Sequence, residues 1–134
     1  MDFFEMQWSG FITALFLSLA PLVAQAENPI GTWHTEPDAK KQTAHVLVTK
    51  CGTGFCGEMV RAFDQSGKQI AHKNVGKRLF WDAKPIGKGD FAGRAYVPLL
   101  GKDFPATMTV TNSRMIVKGC GGPVCKSQRW TRVN

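Results

Sequence analysis

FPATMTVT, the stretch from Phe104 to Thr111, alternates side-chain character at almost every step. Phe104, Ala106, Met108 and Val110 fall at one parity and three threonines at the other. A β-strand points successive side chains to opposite faces, so this pattern places one face in a core and the other in water. Pro105 donates no backbone N–H and suits a strand entrance or an edge.

Working outward, other runs repeat the pattern. Leu79, Trp81 and Ala83 alternate with Arg78, Asp82 and Lys84; Phe91, Ala95 and Val97 share a face; Met115 and Val117 oppose Arg114 and Lys118. The same parity sends Phe80 and Tyr96 outward. Asn112-Ser113 reads as a tight turn between two strands. Ile30–Glu36, His45–Lys50, Glu58–Phe63 and Ser127–Val133 complete about eight short strands, and no segment carries a helical stripe. Asp64–Val75 is the longest polar interval and reads as a loop. A lone sheet of this size leaves one face and two edges open, so the expected fold is all-β, a small closed antiparallel barrel.

Four cysteines stand in two C-x4-C blocks, KCGTGFCG at Lys50–Gly57 and GCGGPVCK at Gly119–Lys126. Structural zinc sites prefer tighter pairs, and thioredoxin-like chemistry needs C-x-x-C at a helix N-terminus. Facing positions on a hairpin instead bring two Cα atoms within disulfide range. Of the three connectivities, Cys51–Cys56 with Cys120–Cys125 is preferred. Each bridge would then close one hairpin.

Gly31-Thr32-Trp33 opens the first strand and Arg129–Val133, RWTRV, closes the last. In a barrel these strands are neighbours, so Trp33 and Trp130 are expected to close one end. Parity favours Arg132 over Arg129 as the cation covering an indole face.

IGTWHTE, VLVTKCGTGFCGEMV, NVGKRLFW, GRAYVP and MIVKGCGGPVCKSQRWTRV together resemble the bacterial domain of unknown function 2147 family, from Ile30 to Val133. The resemblance implies an exported protein with a lipocalin-like, or calycin, barrel. The family has no established activity, so no catalytic residue follows from it.

The chain has 134 residues. Phe11–Leu22 is an apolar run too short to span a bilayer, followed by Val23-Ala24-Gln25-Ala26, a small–x–small cleavage pattern. Residues 1–26 are therefore expected to be a secretory leader, with translation starting at Met1 or Met6, and residues 27–134 a single barrel domain. The expected location is periplasmic or secreted, with no transmembrane span after cleavage. Losing Asp2 and Glu5 with the leader raises the formal charge from +7 to +9. The basic residues are dispersed, which argues for solvation or an anionic envelope partner over specific nucleic-acid binding.

Catalytic signatures are missing: the serines lie outside G-x-S-x-G, and H-E-x-x-H does not occur. The histidines are His34, His45 and His72; His34 and His45 fall on the first two strands, where they can approach each other, and that pair reads as surface decoration. Asp82 and Asp90 flank AKPIGKG, read as a turn. A non-enzymatic protein without cofactor or metal is expected. The leading functional expectation is a small apolar or amphipathic ligand inside the barrel, lined by Trp81, Phe91, Phe104, Met108 and Met115. The alternative is an anionic partner, such as lipopolysaccharide, acidic glycan or an acidic protein, held on the outer face by Lys73, Lys77, Arg78, Lys84 and Lys88.

Overall fold

A computed structural model describes residues 17–18, 28–98 and 100–134. The leader expected over residues 1–26 lies, except for Leu17 and Ser18, outside the described residues. Among those described, no helix is long and apolar enough to cross a membrane.

The strands follow in order: β1 (Gly31–Thr35), β2 (Thr43–Cys51), β3 (Gly54–Phe63), β4 (Gln69–Ile70), β5 (Arg78–Gly87), β6 (Asp90–Val97), β7 (Lys102–Thr111), β8 (Arg114–Gly121) and β9 (Val124–Arg132). Every pairing is antiparallel between neighbours around the sheet, and β1 pairs with both β2 and β9, while β2 also pairs with β3. Eight strands thus form a closed up-and-down barrel. The two-residue β4, inside the interval read as a loop, pairs with the far half of β3 at Ala62 and Phe63. Its sequence carries too few residues for any periodicity to register.

Closure gives the molecule two distinct ends. The β2–β3, β5–β6 and β7–β8 turns lie at one end with the C-terminus. The long β1–β2 and β3–β5 connections and the β6–β7 and β8–β9 turns lie at the other. Trp33, Val46, Val48, Phe80, Phe91, Met108, Val110, Met115 and Trp130 form one continuous core, each almost wholly buried. FPATMTVT behaves as its alternation predicts: Ala106, Met108 and Val110 are buried, and Thr107 and Thr111 are exposed.

Strand β5 departs from simple parity. Its pairing with β3 shifts register around Gly57, and its pairing with β6 shifts between Trp81 and Lys84, where Asp82 adopts a positive φ of 53°. These bulges put an extra residue into the strand and re-aim its side chains. Phe80, expected outside, is therefore 1% exposed in the core, while Trp81, expected inside, is half-buried opposite Arg94. A Cβ at Gly57 would run into the Phe80 ring and the Val46 side chain, so the missing side chain makes the room that Phe80 fills. Asp82 belongs to the bulge and not to a turn; the β5–β6 turn is Lys88-Gly89, with φ of 51° and 80°.

Both cysteine pairings are as preferred from the sequence, but the hairpins are tighter than four-residue loops. Cys51 pairs with Gly54 and Gly121 with Val124, leaving the two-residue turns Gly52-Thr53 and Gly122-Pro123. Cys120 and Cys125 face each other, their Cα atoms 4.1 Å apart. Cys51 and Cys56 are offset along the hairpin, and their disulfide crosses it diagonally with Cα atoms 5.7 Å apart.

Candidate functional site

The end holding the C-terminus is sealed. Trp33 is fully buried and donates its Nε1–H to Pro29 O at 2.9 Å. The Arg132 guanidinium lies over its indole, 4.3 Å from the ring centre, and donates to Ile30 O and Asn28 O at 2.8 and 2.6 Å. A cation over an aromatic face that also ties down the entering chain is a plug. Trp130, buried in the same core, lies deeper, tilted against Phe80 with ring centres 6.0 Å apart. Its Nε1–H donates to Gln128 Oε1 at 2.7 Å, towards the opposite end.

The interior next to this plug is filled. Phe91, Met108 and Met115, expected to line a cavity, are 4%, 1% and 0% exposed. Phe55 meets Phe91 edge to face at 5.6 Å. Trp81 is outside this packing altogether. Only Phe104, of the five candidates, is both on the inward face and reachable from solvent.

Phe104 sits at the opposite end, where its ring covers Gly121; a Cβ at Gly121 would collide with it. Around it the inward surface is apolar and half-buried: Leu79, Val97, Val117 and Gly119. Val97 and Gly119 approach each other from β6 and β8 across β7. Beneath them lie Ala95 and Ala106, small residues in a row that carries large ones nearer the plug. Lys102 pairs with Val97 and Lys126 with Gly119, which sets both exposed ammonium-bearing chains on the rim. The open end thus presents a half-buried apolar layer with a basic margin.

The basic outer residues do not form one patch. Lys73, Lys77 and Arg78 lie before or at the start of β5; Lys84 lies late in it, and Lys88 is in the turn beyond its far end. All are exposed.

On the outer wall, β1 and β2 bring His34 and His45 directly opposite each other. Sequence parity brings these two together; the third ring, Phe63 from β3, was not expected there. Ring centres are 5.3 Å apart for His34–His45, 4.7 Å for His45–Phe63 and 6.2 Å for His34–Phe63. Desolvation chiefly, then the neighbouring His34 and Arg61 charges, lower the His45 pKa from its usual 6.5. A concavity of about 540 Å³ opens over the three rings, bounded by the β1–β2 loop and the turn after Phe63. Asp64 in that turn is held below the usual carboxylate range by the Ser66 hydroxyl, then the Lys68 N–H. His72 lies elsewhere, its Nδ1 accepting from Asn74 N–H at 3.0 Å. Among the described residues no cluster of three or more His, Cys, Asp or Glu converges.

Residues 31–132 match the model of a family described as uncharacterized protein conserved in bacteria, DUF2147. The chain belongs to the DUF2147 family. No curated protein matches it. Among solved structures, this DUF2147 protein is similar to HP1028 from the human pathogen Helicobacter pylori, described as belonging to the lipocalin family, with a TM-score of 0.62 and 15% identity. The alignment covers 81% of this chain and 84% of that one. At that identity the likeness concerns the fold: this DUF2147 barrel is lipocalin-like.

Proposed function

We propose that this protein is a non-catalytic binding protein of the cell envelope that holds one small amphipathic molecule at the open end of its barrel. The observation carrying this reading is the half-buried apolar layer of Leu79, Val97, Phe104, Val117 and Gly119 above a filled core. Large side chains close the other end, so within the barrel an apolar tail gains a hydrophobic surface here, at roughly 25 cal/mol per Å² removed from water. Lys102 and Lys126 on the rim favour a carboxylate or phosphate head group. This reading joins the apolar-ligand and anionic-partner expectations in one place. It also relocates the ligand, because Phe91, Met108 and Met115 serve the core. The exposed bases along β5 lie too far apart to act as a single anion site.

Native mass spectrometry and lipid extraction of protein purified from its own envelope test the proposal, followed by titration with a fluorescent fatty acid. The expected result is one retained amphiphile per chain. Lys102→Glu with Lys126→Glu should weaken the anionic probe several-fold and leave a neutral monoacylglycerol probe unchanged. Absence of any co-purifying ligand, together with no probe binding, would reject it.

A further inference from the structure

The interior is filled, the thiols are consumed in disulfides and the open end belongs to the reading above, which leaves the outer concavity over β1 and β2 without a role. We propose that His34 and His45 form a cross-strand bis-imidazole site for a divalent transition-metal ion of the copper, nickel and zinc class.

The placement begins with the alternation of β1 and β2. Trp33, Thr35, Ala44 and Val46 are buried inward, so His34 and His45 both point out, and the register sets them face to face. A metal ion takes imidazole nitrogens at about 2.0–2.1 Å, and a ring centre lies about 1 Å beyond its nitrogen; at a tetrahedral angle two such rings have centres about 5 Å apart. The observed 5.3 Å falls at that separation without any strand movement. Phe63 packs on the His45 ring at 4.7 Å and limits how far it can turn away. Neither imidazole is engaged by a carboxylate: among the described residues the ion pair present is Arg94–Asp103, on other strands.

The donor set selects the metal class. Imidazole suits copper, nickel and zinc, while calcium and magnesium demand oxygen ligands. Among the described residues no third His, Cys, Asp or Glu converges on the pair, so water or a small exogenous anion completes the coordination within the 540 Å³ concavity. Arg61, paired with His45, opposes a cation and keeps the affinity modest. Two-ligand attachment beside a positive charge describes an exchangeable site on the surface and not a structural centre.

The test uses the metal-stripped, tag-free protein titrated with Zn²⁺ by calorimetry and with Cu²⁺ by electron paramagnetic resonance. One ion per chain with a dissociation constant on the order of micromolar is expected, and Cu²⁺ should show nitrogen ligation. His34→Gln and His45→Gln should each weaken binding at least about tenfold, while His72→Gln leaves it unchanged. Both positions face outward, and a matching near-ultraviolet circular dichroism spectrum verifies that each variant keeps its fold. Binding unaffected by either substitution, or no binding at millimolar metal, would overturn the site.

Discussion

Arg132 performs three tasks with one guanidinium: it covers the Trp33 indole, and it holds the carbonyls of Ile30 and Asn28. Replacing it with Ala should lower stability by about 2 kcal/mol in chemical denaturation, combining a cation–π contact with charge-assisted hydrogen bonds; Lys should restore only part. Phe80 and Trp81 supply a sharper comparison. Phe80→Ala is expected to cost about 3–5 kcal/mol and Trp81→Ala about 1–2, the reverse of what strict alternation along β5 implies. That reversal was not legible because a bulge announces itself weakly. Asp82 tolerates a positive φ better than most residues, but nothing in RLFWDAK marks where the register slips. Arg132, by contrast, was legible by counting parity two residues on from Trp130. At His45 the folded-state pKa lies below the unfolded one, so the unfolded chain binds the extra proton. In metal-free solution, stability should therefore be full above about pH 6.5 and fall as pH drops from there through the folded-state pKa. His45→Gln should remove that increment, read as a flatter dependence of the denaturation midpoint on pH between about 7 and 5.

Each cysteine hairpin is a two-residue turn with glycine first, at φ of 58° for Gly52 and 60° for Gly122. A positive φ there, with none at Thr53 or Pro123, makes each a type II′ turn, whose twist matches the strands it joins. Turn and bridge therefore act on the same few residues, and the bridge constrains a chain that the turn already bends. Removing one bridge, as in Cys120→Ser with Cys125→Ser, should cost at most about 2 kcal/mol, the value for so small a loop. A denaturation midpoint shift far beyond that would show the β8–β9 tip to be held by more than its own hairpin. The sequence identified both pairs by spacing, yet the diagonal course of Cys51–Cys56 depends on pairing Cys51 with Gly54, a one-step choice that C-x4-C leaves open. Strand β4 has no signature for a different reason: Gln69-Ile70 is strand only because Ala62 and Phe63, paired with β2 on one side, offer on the other an edge that the β5 pairing does not reach.

At the scale of the molecule, one large core cluster draws on β1, β2 and β5 to β9, and a smaller one of Ala44, Met59 and Ala62 joins it through Leu79, which predicts a single cooperative transition. Tryptophan fluorescence and far-ultraviolet circular dichroism should report coincident thermal midpoints; separated ones would indicate that the barrel opens in stages. Closure, strand number and direction were legible because strand period and turn spacing repeat around the sheet. The fill of the interior was not, since it depends on which inward residues stand level with each other, and register decides that only after folding. FPATMTVT shows both sides of this: its alternation fixed the inward set, while the position of β7 in the barrel put Met108 in sealed core and Phe104 at the mouth. The seam between β1 and β9 has one more consequence. Thr32 N–H reaches Asn134 O at 3.2 Å, and Val133 N–H reaches Thr32 O at 2.8 Å. The first and last strands thus leave the plugged end side by side, and any tether joined there would carry the barrel as a stem carries a cup, mouth outward. A circular permutant linking Asn134 to Asn28 and opened at Asn112-Ser113 should keep that cup intact.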